Sequence, residues 1–113
     1  MARYEIDYFE LPATTGADSR AFFDKAFGWT FKVYGPNYIE IQGAAVIGGI
    51  NADPDDKSAA PLVGIHTDDI VKAEQAVIAA GGTITRKTYD FPGGKRFYFR
   101  EPSGSEMMVY MDV

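Results

Sequence analysis

Cysteine is absent from the 113 residues. Disulfides, thiol nucleophiles and cysteine-ligated metals are therefore excluded. Histidine occurs once, as His66, with no nucleophile signal beside it, so no Ser-His-Asp triad can be drawn. Positive charge is scarce. Eleven Lys and Arg stand against sixteen Asp and Glu, for a net charge of −5 and a pI near 4.7. Nucleic acid is disfavoured as a partner, because phosphate contacts need clustered cations. A cationic or neutral small ligand suits this balance better. Long apolar runs are missing too. The longest uncharged stretch, Ile41 to Ala52, falls short of the roughly 20 residues a membrane helix needs. Arg3, Glu5 and Asp7 leave no room for the apolar core of a signal peptide. A soluble, cytoplasmic protein without membrane partners is expected.

What is present reads as one α+β domain spanning 1–113. The apolar fraction of 46% and charged fraction of 24% are ordinary. Aromatics, at 14%, suit a sheet that must be filled from one concave face. Tyr4 to Leu11 alternates like a strand and Pro12 ends it. Thr15-Gly-Ala-Asp18 marks a helix start. Ser19, Phe22, Phe23, Ala26 and Phe27 then fall on one helical face, and Gly28 is placed to close the helix. Strands follow at Trp29–Tyr34, Tyr38–Gln42 and Ala44–Ile50, with turns at Gly35-Pro36-Asn37 and Gly43.

After a polar linker the order repeats. Leu62–Thr67 reads as a strand, and Thr67 or Asp68 caps a helix that buries Ile70, Ala73, Val77 and Ala80, helped by Ile78. Gly81-Gly82 stops that helix, and strands at Thr83–Tyr89, Lys95–Arg100 and Ser105–Met111 complete the chain. The boundaries are module one at 1–52, linker at 53–60 and module two at 61–113. Two runs of one order imply a duplicated unit. A ferredoxin-like domain would carry only one strand after each helix.

Four stretches carry a family resemblance. They are the helix exit Phe22-Phe23-Asp24-Lys25-Ala26-Phe27-Gly28-Trp29, the strand ending Val46-Ile47-Gly48-Gly49-Ile50, the helix entry Ile65-His66-Thr67-Asp68-Asp69-Ile70, and the turn Phe99-Arg100-Glu101-Pro102-Ser103-Gly104-Ser105. In this order and spacing the chain resembles the vicinal-oxygen-chelate superfamily of glyoxalases, bleomycin-resistance proteins and extradiol dioxygenases. It is most like the metal-free, bleomycin-resistance-like members. The resemblance implies two βαβββ modules whose mixed sheet curls around a cavity, and a homodimer. It also implies that four positions, which carry His, Glu, His and Glu in metal-using members, fall here on Tyr8, Gly48, Leu62 and Met108. Gly and Leu offer no donor atom, and Met sulfur suits hard cations poorly. No metal or other cofactor is expected.

The expected function is binding of a small cationic or aromatic molecule in the cavity. The expected ligand-binding residues are Tyr8, Glu10, Gly48, Leu62, Gly64, His66, Tyr98, Met108 and Tyr110. Strand parity puts His66 with Leu62 and Gly64, and Glu106 with Met108 and Tyr110. Tyr8, Tyr98, Tyr110 and Trp29 could stack on a planar or cationic group. Glycines in strands, such as Gly48 and Gly64, often mark close approach of a ligand. The alternative is a lyase, isomerase or dioxygenase whose catalytic candidates are His66, Glu106 and Glu40. Gly93-Gly94-Lys95-Arg96 lacks the spacing of a phosphate loop and reads as a hairpin turn. Asp53, Asp55 and Asp56 lack the rest of a calcium loop and read as solvated linker.

Overall fold

The computed structural model describes residues 2–113 and is α+β, with eight strands and two helices. The order is β1 (Tyr4–Pro12), α1 (Gly16–Phe27), β2 (Thr30–Val33), β3 (Tyr38–Gln42), β4 (Ile47–Asn51), β5 (Leu62–Thr67), α2 (Ile70–Ala79), β6 (Thr83–Phe91), β7 (Gly94–Arg100) and β8 (Glu106–Asp112). This is β-α-β-β-β twice. The chain forms two compact units, one contiguous (Tyr8–Leu62) and one composite, made of the residues up to Asp7 together with Val63–Val113. Strand β1 thus gives residues to both.

In the contiguous unit the strands run β2-β3-β4-β1, antiparallel except for the parallel β4–β1 pair. Register sorts the side chains. Glu10, Gly49 and Glu40 lie level with one another, so with Tyr8, Tyr38 and Asn51 they share one face. The other face carries the core, where Ile41, Ile50 and Ala13 are buried among Phe9, Leu11, Trp29, Phe31 and Ile39. Helix α1 begins at Thr15, but the Thr15 side chain makes no capping bond. Gly28 closes the helix in the left-handed conformation (φ 71°), its N–H reaching the Asp24 carbonyl. The apolar stripe of α1 stays largely uncovered. Phe22 and Phe27 are 60% and 62% exposed and pack chiefly on Phe23, Trp29 and one another.

The composite unit runs β5-β8-β7-β6, with β5–β8 parallel and the other two pairs antiparallel. One face is apolar and packs on α2, where Ile70 and Ala73 meet Phe97, Phe99 and Val109, backed by Ile65, Val77, Met107 and Met111. The cap is Asp69 rather than Thr67 or Asp68. Its side chain accepts from Lys72 N at 3.0 Å, while Asp68 accepts from Arg3 N and Thr67 bonds the Asp69 backbone N–H. Ala80 and Ile78, expected inside, are exposed. Among the described residues no helix is long and apolar enough to cross a membrane.

The 53–60 segment is tied down more than a solvated linker would be. Asn51 Nδ2 donates to Asp56 Oδ2 at 2.9 Å, Asp53 Oδ1 accepts from Asp55 N, and Lys57 Nζ reaches the Ala13 carbonyl at 3.1 Å.

Candidate functional site

Each unit gathers polar side chains on the sheet face its helix does not cover. In the contiguous unit the centre is Glu10, only 1% exposed. An ionised carboxylate that deep persists only if its oxygens are satisfied. Asn51 Nδ2 donates to Oε1 at 3.0 Å, and the Tyr38 hydroxyl donates to Oε2 at 2.9 Å. The Tyr38 oxygen in turn meets the Tyr8 hydroxyl. Gly49 makes this possible, because a Cβ there would overlap both phenol oxygens. Glycine is required for close approach, as expected of a strand glycine, but at position 49. Gly48 points the other way, and a Cβ on it would strike the Phe9 ring in the core. The expected placement of Gly48 on the polar face is thus corrected by one residue, and a one-residue step in a strand flips the face.

Glu40 is on the polar face, with its carboxylate taken by Gln42 Nε2 at 2.7 Å. Leu62, at the start of β5, is buried. It shares strand parity with Gly64.

In the composite unit the register Gly64↔Met108↔Tyr98 and His66↔Tyr110↔Arg96 sets six residues on one face. Arg86 and Tyr89 join them, being level with Tyr98 and Arg96. They are three apart in sequence, and the irregularity of β6 between them supplies the extra residue that turns both the same way. Arg96 is 6% exposed. Its Nε donates to the Tyr89 hydroxyl, its Nη1 approaches Met108 Sδ at 3.5 Å, and its guanidinium lies 5.3–5.5 Å from the rings of Tyr89, Phe91 and Tyr98. Arg86 stacks on Tyr89 at 3.6 Å.

His66 lies at the other end of this face. Its ring stacks on Tyr110 at 4.5 Å between centroids. Nδ1 meets Asp7 at 2.9 Å and Nε2 meets Asp112 at 3.0 Å. Tyr110 donates to the second Asp7 oxygen. The expected partnership of His66 with Glu106 does not form. Glu106 accepts from Thr85 at 2.6 Å and stands four residues along β8 from Tyr110, about 13 Å away. Among the described residues no three His, Asp or Glu side chains gather closely enough to hold a metal ion.

Asp7, Asp112, Tyr38, Asn51, Tyr89 and Gly49 escaped the sequence reading.

Tyr38 and Tyr89 are shifted phenols. Burial, then the charge of Glu10 and the neighbouring Tyr8, push Tyr38 far above the usual range. Burial and the bond with Tyr98 raise Tyr89, with Arg96 pulling the other way. Free tyrosine ionises near pH 10. Above that pH the unfolded chain loses these protons and the folded chain keeps them, so stability falls as pH rises. A spectrophotometric titration at 295 nm should therefore show at least two of the seven tyrosines silent until the protein unfolds. Seven ionising together near pH 10 in folded protein would refute this.

A sequence model of the glyoxalase/bleomycin resistance protein/dioxygenase superfamily matches residues 5–109. The chain belongs to this superfamily. No curated protein matches it. Solved structures share its fold. A glyoxalase/bleomycin resistance protein/dioxygenase superfamily member from Vibrio splendidus 12B01 superposes with a TM-score of 0.69 at 15% identity, over 97% of this chain and 99% of that one. A Mn(II)-bound glyoxalase from Novosphingobium aromaticivorans gives 0.69 at 19% identity, over 100% of this chain but 40% of its own. An NAD-dependent benzaldehyde dehydrogenase from Legionella pneumophila gives 0.78 at 10%, over 94% and 98%. Identities this low show the fold alone.

The four positions that the resemblance assigns to metal ligands have these surroundings. Tyr8 is engaged with Tyr38. The second position is glycine whether read at 48 or 49, and Leu62 is apolar. The Met108 sulfur faces a guanidinium, a cation where a metal ligand would face a metal.

Proposed function

We propose that this glyoxalase-superfamily chain binds a small cationic or aromatic molecule on its polar sheet faces, without the four-ligand metal centre, and acts by sequestering the ligand rather than transforming it. The observation that carries the reading is Arg96 Nη1 lying 3.5 Å from Met108 Sδ. A buried positive charge beside the fourth position opposes a divalent ion there. Tyr89, Tyr98 and Tyr110 supply flat surface with polar edges, the usual lining of small-molecule sites. A homodimer belongs to the same proposal and is supported by the uncovered rings of Phe22 and Phe27 on α1.

Elemental analysis by plasma mass spectrometry, on untagged protein purified without chelators, tests it. The expected result is no stoichiometric transition metal, at dimer mass in the same sample. A metal at one equivalent per chain would overturn the metal-free reading, and a monomer would remove the dimer from it.

A further inference from the structure

The side of the composite sheet that faces α2 is not completely filled. Helix α2 turns Ala73, Ala76 and Val77 toward it, and Ala80 follows at the helix end. The four recur at the spacing of one helical stripe. Alanine fills little space, and a cleft of about 280 Å³ remains. Its floor is core, with Ala73, Phe99 and Val109 all buried. Its mouth is open, since Ala76 and Ala80 lie at the surface. Gly82 brings the chain against the helix, where a Cβ would come within 2.7 Å of Val77 Cγ1. Tyr4, from β1, adds a second aromatic residue to the lining.

Glu101 is the one charged residue of this lining, and its place is fixed. Oε1 accepts from Ser103 N at 2.8 Å and Oε2 from Ser105 N at 2.7 Å, in a turn closed by Glu101 N donating to the Ser105 carbonyl at 3.0 Å. The two bonds to its oxygens hold the carboxyl below its usual range, so it is charged at neutral pH. A carboxylate has about four acceptor positions, and these bonds use two. Among the described residues no Lys or Arg is ion-paired with it.

We infer that this cleft is a binding site for a small molecule with an aromatic body and an ammonium end, the body against Val77, Phe99 and Val109 and the nitrogen at Glu101. Volume sets the size. An apolar cavity of about 150 Å³ takes benzene, so 280 Å³ leaves room for one ring and a short arm. Burial of the ring stabilises the complex. Glu101 sets the sign, because a carboxylate ligand would meet a like charge there. The net charge of −5 favours the approach of a cation. The site stands apart from the reading above. Phe99 and Val109 point to the opposite side of the sheet from Arg96, Tyr98 and Met108.

The probes are 2-phenylethylammonium, 2-phenylethanol and 3-phenylpropanoate, which share a ring and differ in the charge of the end group. Each is titrated into nitrogen-15-labelled protein and followed at the backbone amides of α2 and of residues 101–105. The ammonium probe is expected to bind about fivefold tighter than the alcohol, the size of a good partly exposed ion pair, and the carboxylate probe weakest. Glu101→Gln removes the charge and should bring the ammonium and the alcohol within about twofold of each other. Ala76→Phe fills the mouth from an exposed helix position and should abolish binding of all three. Circular dichroism melts establish that each variant is folded. If Glu101→Gln does not fold, salt decides. At about 1 M the wild-type ratio of ammonium to alcohol should fall toward one, and an unaltered ratio overturns the inference. No shift at these amides at millimolar concentration, a preference for the carboxylate, an unaltered preference in folded Glu101→Gln, or binding retained in folded Ala76→Phe overturns it as well. Shifts confined to the polar-face residues overturn it and leave the reading above standing.

Discussion

Phe97→Ala should cost about 3–5 kcal/mol, the usual loss for a large buried aromatic. Phe97 is 0% exposed. It lies in the cluster of Ile70, Ala73, Phe99 and Val109 that joins α2 to its sheet, with its ring 6.2 Å from that of Phe99. The residues around it are anchored by β7–β8 pairing on one side and by the helix on the other, so little can collapse into the space left. Total stability of a domain this size is about 5–15 kcal/mol. The loss should therefore lower the melting temperature by roughly 15–25 °C and bring the urea midpoint down at unchanged m-value. Tyr34→Ala is the control. It removes a ring of similar size from a site 50% exposed and should cost less than about 1 kcal/mol. Equal losses at the two positions would refute this placement of the core.

Gly94→Ala is the second large effect, at about 3 kcal/mol, from overpacking against backbone. Gly94 is level with Asp112 across the β7–β8 pair. A Cβ on it would overlap the Met111 carbonyl oxygen and come within 2.9 Å of the Phe91 ring. A carbonyl in a paired strand cannot turn aside as a side chain can. Gly93 is the comparison. It has φ 101° and nothing within 4 Å of its missing Cβ, so alanine there costs only backbone strain, roughly 1–2 kcal/mol. Urea melts of both variants check the ranking, and a Gly93 loss as large as the Gly94 loss would contradict it. The Gly93-Gly94-Lys95-Arg96 run is thus a hairpin whose two glycines answer separate demands, one for a dihedral angle and one for space.

Much of the fold could be read from local pattern, because local pattern is what makes strands and helices. The three-strand run after each helix, the Gly28 stop and the polar 53–60 segment all rest on neighbours within a few residues. The misreadings share a cause. Asp68 and Asp69 are equally good caps on paper, and the choice went to the residue whose carboxylate reaches Lys72 N, with Asp68 drawn off by Arg3. Phe22 and Phe27 have helical spacing, but spacing names a face and not what covers it. Gly48 and Gly49 are adjacent, and register alone decides which one faces the phenols.

The candidate site was less legible than the fold. Tyr8 stands out through the resemblance and Glu10 through its place on the same strand, but what holds Glu10 is Tyr38 and Asn51, 28 and 41 residues further on. His66 was weighed against glutamates, whereas Asp7 and Asp112 hold it. Periodicity carries no information about pairs so far apart.

The division of β1 has a consequence for the order of folding. Residues 8–62 are continuous and can close on themselves while the rest of the polypeptide is still being synthesised. The composite unit cannot. Its first residues must be kept until the last strand exists, since Asp7 waits for Tyr110, 103 positions later. A search that spans nearly the whole chain is the slow kind, since the entropy of closing the longest loop is lost before any contact repays it. The two halves look alike in element order, yet residues 8–62 are expected to close early and the composite unit last, because β1 divides its nine residues between them.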